Sequence, residues 1–182
     1  IRPVVTNKWD QGRDMFDRHA YQKGAIILNM LRDLVGHDVF SNILQSFLNE
    51  HAYSNAISSD FFETVNSVTN KDYSWFFDQW LLNPGHPVLE VTYVWNEQDK
   101  TLSLTVKQTQ DTAAGIPIYQ LPIKLGITTN AGKIVESVWV NEAEQSFSFV
   151  IDEKPLMVHF DEGDLLLKEW TLNKSTAELI YQ

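Results

Sequence analysis

The sequence predicts an α+β chain of two domains: a small α-helical subdomain over residues 1–85, then an all-β, immunoglobulin-like sandwich over residues 86–182. Three observations predict it. Apolar residues recur at helical spacing up to about residue 85 and alternate in twos after it. Asn83-Pro84-Gly85-His86-Pro87 separates the two patterns with residues that cannot continue a helix. Past that break, runs of Val, Ile, Thr and aromatic residues recur with turn residues between them, the rhythm of a sandwich.

The first helix is expected from Asp17 to Val35. Ile27, Met30, Leu31 and Leu34 form one stripe, Tyr21, Ala25 and Leu28 a neighbouring one, and Gly36 is the stop. A second helix is expected from Val39 to Glu50, with Phe40, Ile43, Leu44, Phe47 and Leu48 as its apolar face and Asp38 as its cap. Ser58-Ser59-Asp60 opens a third, burying Phe61, Phe62, Val65 and Val68, with Ser59 and Phe62-Glu63 resembling a capping arrangement displaced by one residue. A fourth, from Asp72 to Leu82, carries Trp75, Phe76, Phe77 and Trp80 and reads as core.

Seven strands are expected: Val88–Trp95, Thr101–Gln108, Ile118–Thr128, Ile134–Val140, Phe147–Ile151, Leu156–Phe160 and Leu165–Trp170. In the second, Leu102, Leu104 and Val106 point inward and Ser103, Thr105 and Lys107 outward. Asn96 to Asp99 and Asn130-Ala131-Gly132 are the clearest turns. The stretch from Thr171 to Gln182 reads as a linker or the start of another element.

Composition narrows the function classes. Hydrophobic residues make up 43% and charged residues 21%, as in an ordinary globular protein. The net charge is −10 and there is no run of Lys or Arg, which argues against nucleic-acid and anionic-membrane partners. Residues 1–85 hold 7 basic and 10 acidic side chains and residues 86–182 hold 7 and 14, so the sandwich carries most of the acidity. The absence of Cys removes disulfides, thiolate metal sites and cysteine nucleophiles. No apolar run approaches the ~18 residues of a membrane span. The chain opens on Ile1-Arg2-Pro3-Val4-Val5-Thr6, which reads as the interior of a longer protein. No targeting signal is visible, and a periplasmic or secreted location stays open.

Standard catalytic constellations are missing. There is no Gly-rich phosphate loop, no G-x-S-x-G elbow and no His-Glu-x-x-His. His19, His37, His51, His86 and His159 are never three or four residues apart, so none pairs on a helix face as a zinc site requires.

One segment does carry a motif: Tyr21-Gln22-Lys23-Gly24-Ala25, opening the first helix. It resembles the Tyr-x-Lys-Gly-Ala motif of the zinc aminopeptidase family that includes aminopeptidase N and leukotriene A hydrolase. The resemblance continues through Leu31-Arg32-Asp33-Leu34-Val35-Gly36, Phe47 to Tyr53, Asp60-Phe61-Phe62, Trp75 to Leu81 and Pro84-Gly85-His86-Pro87-Val88. It covers residues 1–90 closely. Over the sandwich it rests on length, position and strand pattern.

The resemblance implies that residues 1–85 are the helical C-terminal part of a metallopeptidase catalytic domain. It implies a protein that removes N-terminal residues from peptide substrates, with zinc held by ligands upstream of Ile1 and none bound to this fragment. It implies one catalytic residue here, Tyr21, whose hydroxyl donates to the oxyanion of the tetrahedral intermediate. The fragment alone is then expected to be inactive. Without the motif, a lone Tyr on an amphipathic helix reads as packing. Lys23 reads as a solvated helix residue, and Gly24 as a point of close helix approach to the zinc helices. Asp14 and Asp17 read as helix N-terminal charge in preference to cleft lining. An apolar face left uncovered on the helical half would let the fragment self-associate.

Two other readings compete. A relative that has lost its metal ligands would serve as a binding or scaffold protein. A β-sandwich module would bind carbohydrate or protein, with Trp95, Trp139 and Trp170 either as a surface platform or as core.

Overall fold

The computed structural model describes residues 2–172, which divide into two compact units between Gly85 and His86. The helical unit contains α1 (Gly24–Val35), α2 (His37–Glu50), α3 (Ser58–Thr69) and α4 (Ser74–Phe77). A 3-10 turn, Gly12–Met15, precedes them, and π-helical turns at His19–Lys23 and Asp78–Leu82 flank α1 and α4.

Periodicity places the core correctly. Ile27, Met30 and Leu31 of α1, Ile43 of α2, Val65 of α3, and Phe76, Phe77 and Trp80 are all buried. Phe77 is the hub of an aromatic cluster. Phe62 stacks on it with ring centroids 3.9 Å apart, and Phe61 and Phe76 meet it edge-on at 6.3 and 5.7 Å. The edge-on contacts suit the ring quadrupole. The outer parts of the expected faces are not covered: Leu44 and Leu48 of α2 are exposed, and Phe61, Phe62 and Val68 of α3 are half-buried.

Two caps differ from expectation. Asp38 does not cap α2; that helix begins at His37 directly after Gly36, whose φ of +90° favours glycine and ends α1. Asp38 instead adds negative charge to the first turn, where it suits the helix dipole. At α3, Asp60 Oδ2 accepts from the Ile57 amide at 2.8 Å, so the reciprocal cap lies at Ile57–Asp60.

The second unit is a sandwich of two sheets. One has strand order β5-β2-β1-β7 and the other β4-β3-β6. The strands are β1 (Val88–Asn96), β2 (Thr101–Gln108), β3 (Leu121–Thr129), β4 (Gly132–Val140), β5 (Glu144–Val150), β6 (Met157–Phe160) and β7 (Glu169–Leu172). All neighbouring pairs are antiparallel except β1 with β7. Alternation fixes the inner faces: Leu102, Leu104 and Val106 of β2 and Leu121, Ile123, Leu125 and Ile127 of β3 are buried. Thr171 and Leu172 belong to β7, and the rest of the expected linker, 173–182, lies outside the described residues.

Two strands start three or more residues later than expected, each because a side chain takes over the backbone. Residues 118–120 are not in β3. There the Gln108 amide accepts from Tyr119 N–H at 2.9 Å and donates to its carbonyl at 2.8 Å, replacing a ladder with a buried side-chain amide. Gln110 extends the network to Gln108 Oε1 and to the Pro117 carbonyl. Residues 165–168 are likewise not in β7. Asp161, itself at φ +59°, accepts from the Leu166 amide at 3.0 Å and pairs with Lys168, whose Nζ lies 5.5 Å from the centre of the Trp170 ring.

Trp95, Trp139 and Trp170 do not share a face. Trp95 alternates in phase with buried Leu89 and Val91, and Trp170 sits opposite Leu89, whereas Trp139 sits opposite Pro122 on the outer side of its sheet. The surface-platform reading therefore loses its geometry.

The Lys168–Asp161 pair is nearly removed from water, with side chains 5% and 2% exposed. Removing one partner leaves an uncompensated buried charge. Lys168→Met is expected to lower unfolding free energy by about 3–5 kcal/mol. Urea denaturation of the variant against the parent checks this.

Candidate active-site turn around Tyr21

Tyr21 lies in the five-residue π-turn His19–Lys23, which runs directly into α1. The single helix expected from Asp17 to Val35 is therefore interrupted at its start. A π-turn changes the angular position of the residues before it relative to the helix after it, and such turns recur at functional sites. The Tyr21 side chain is 58% exposed, whereas Ile27 and Leu31 are buried. Its ring lies 6.3 Å from that of Phe16, tilted by 35°.

Asp17 sets the geometry of this turn. Its Oδ1 accepts from the His19 amide at 2.9 Å and the Ala20 amide at 3.1 Å, and its carbonyl accepts from the Tyr21 amide at 3.2 Å. Arg2 grips the same carboxylate with two bonds, Nη2 to Oδ1 at 2.7 Å and Nε to Oδ2 at 3.1 Å. His19 Nδ1 lies 3.0 Å from Oδ2. Partial burial pushes the Asp17 carboxyl up, but the Ala20 amide, Arg2 and His19 outweigh it and hold the group well below the usual carboxylate range. The reading of Asp17 as N-terminal charge thus becomes specific: it caps the turn with three successive amides. Asp14 does something separate, accepting from the Gln11 amide at 3.0 Å to close the preceding 3-10 turn.

At the other end of the turn, Lys23 is not a solvated residue. It is half-buried, and its Nζ donates to the Gly85 carbonyl at 2.7 Å. Burial pushes its ammonium below the ordinary lysine value. Among the described residues, a Cβ at Gly24 would meet only the His19 carbonyl, at 3.9 Å; the helices that Gly24 is expected to approach lie outside this chain. Gly24 also helps line an apolar groove of about 380 Å³ beside Tyr21. Ala20, Ala25 and Leu28 line it from α1 and its leading turn, and Phe61, Phe77 and Leu81 from the elements opposite.

The motif alone points to Tyr21. It misses Arg2 and the Gly85 carbonyl, which lie 15 residues from Asp17 and 62 from Lys23 along the chain. One local signal was available for the brace: Asp17 stands where an N-terminal cap belongs.

Residues 1–80 match the model of the peptidase family M1 domain, and residues 85–162 match that of a domain of unknown function (DUF3458) with an Ig-like fold. The chain belongs to the M1 peptidase family. It is 34% identical to Tricorn protease-interacting factor F2 of Thermoplasma volcanium over 126 residues, 69% of this chain and 15% of that protein. It is 30% identical to aminopeptidase N of Escherichia coli over 144 residues, 71% of this chain and 16% of that protein. A crystal structure of Legionella pneumophila aminopeptidase A in complex with aspartic acid has the same fold, with a TM-score of 0.80 at 21% identity over 98% of this chain and 21% of that one. This M1 chain thus spans about a sixth of the curated relatives named here.

The family implies zinc, but the described residues do not fit a zinc site. Among the described residues, no three His, Asp or Glu side chains lie together as metal ligands. What this part of the M1 fold presents is one exposed phenol on a turn held at both ends.

Lys23 gives a pH-dependent test of that anchoring. A lysine whose folded value is depressed binds fewer protons folded than unfolded in the range between that value and about 10.5. Stability it costs at lower pH is therefore regained as pH rises through this window. Lys23→Met lacks that contribution. The melting temperature of the parent relative to K23M is expected to rise between pH 8 and pH 11, read by calorimetry.

Proposed function

We propose that the full-length protein is a zinc-dependent aminopeptidase that removes N-terminal residues from peptides, and that Tyr21 is its oxyanion-stabilising residue. The observation that carries this reading is an exposed tyrosine on a braced turn in a chain of the M1 family. Residues 1–85 are then the helical end of the catalytic domain, followed by the sandwich. The zinc belongs to residues this chain does not contain.

The role of the phenol follows from charge. When a peptide carbonyl becomes tetrahedral its oxygen gains negative charge, and a hydroxyl already placed to donate to it binds the transition state better than the substrate. Tyr21 can act this way only if its position precedes substrate binding, because reorganising a donor during the reaction forfeits the gain. A turn fixed at Asp17 and Lys23 supplies that preorganisation.

Two outcomes are expected. In the full-length protein, Tyr21→Phe lowers kcat by about 10²–10³ and changes KM much less, since the interaction forms only in the transition state. Steady-state kinetics on an amino-acid anilide measure both constants, and an unchanged kcat removes the assigned role. The chain 1–182 alone, supplied with zinc, hydrolyses no anilide; zinc-dependent turnover by it would overturn the assignment of the metal ligands to other residues.

A further inference from the structure

We propose that Asp17 is a positioning residue for Tyr21, with Arg2 as its support; this rests on the reading of Tyr21 given above. The argument begins with the turn itself. A π-turn is intrinsically less favourable than continued α-helix, so a short one at a helix start needs outside acceptors for its leading amides. Here the amides of three successive residues, His19, Ala20 and Tyr21, all end on Asp17, two on its carboxylate and one on its carbonyl.

Fixing the turn requires that Asp17 itself be fixed. Arg2 does this with two parallel bonds to both carboxylate oxygens, a planar fork on a planar acceptor. Arg2 is in turn held by its own Nη1, which donates to the carbonyls of Pro3 at 2.8 Å and Val4 at 3.3 Å. The amide of Val5, one residue on, donates to the Leu81 carbonyl at 3.0 Å. A continuous chain of bonds therefore links the Asp78–Leu82 turn to residues 2–5, to Asp17 and so to Tyr21. Both side chains are only partly buried, with Arg2 22% and Asp17 33% exposed, so their contribution lies in orientation more than in global stability.

Asp17→Asn separates these two contributions. The asparagine retains an oxygen for the His19 and Ala20 amides and for Arg2 Nη2, but its NH₂ faces Arg2 Nε donor to donor, so the fork loses one of its two bonds and the ion pair. In the full-length protein, D17N is expected to lower kcat about tenfold while KM stays within about twofold, because a small misplacement of a transition-state donor costs rate before affinity. Arg2→Gln, which leaves the Asp17 caps in place, is expected to give a smaller loss of the same kind.

The deciding readout is the double variant. If Asp17 acts through the Tyr21 hydroxyl, D17N adds no further loss of kcat in the Y21F background. An equal loss in both backgrounds would show a general structural role and overturn the proposal. So would an unchanged kcat for D17N alongside a lowered kcat for Y21F, which leaves the role of Tyr21 intact. An unchanged kcat for Y21F would remove the role of Tyr21 and the positioning role with it. Melting temperatures of each variant identify any that fail to fold, and R2Q then provides the comparison in both backgrounds.

Discussion

Backbone amides that leave a helix or a ladder must still find acceptors, and in this chain single side chains supply them. Asp17 takes the leading amides of the Tyr21 turn. Gln108 takes both backbone groups of Tyr119. Asp161 takes the Leu166 amide and balances Lys168. Each lies at the edge of a regular element, and each decides where the next element begins. Regular helices and strands form around these points because their remaining amides pair internally.

The three anchors differ in cost. Gln108 is a neutral amide, able to donate and accept at once, so its burial leaves no charge to solvate. Asp161 is a buried carboxylate and requires a lysine beside it, since an isolated buried charge is far more costly than a buried pair. Asp17 remains partly in solvent and needs Arg2 for direction rather than for neutralisation. The anchor nearest Tyr21 is thus the most open of the three.

The two units serve different ends. The helical unit is organised on Phe77 and leaves an apolar groove and several large side chains exposed near Tyr21, including Phe16 and Leu28. The sandwich closes on its own core, with Leu104, Leu125, Val158 and Phe160 fully buried. The acidity that dominates residues 86–182 lies, Asp161 apart, outside that core, where it favours solubility.

The sequence by itself determined where the four α-helices and seven strands fall, because helix and strand periods are local and a buried face imposes them residue by residue. Helical spacing found Ile27, Leu31 and Ile43, alternation found Leu102, Leu104 and Val106, and the Tyr21 motif named the family. Tertiary structure decided the rest. Arg2 meets Asp17 across 15 residues and Lys23 meets Gly85 across 62, and no local pattern encodes such pairings. The late starts of β3 and β7 and the turn beneath Tyr21 arise where a side chain, of Gln108, Asp161 or Asp17, takes backbone groups that a regular pattern would pair internally. The separate faces of the three tryptophans follow from strand register.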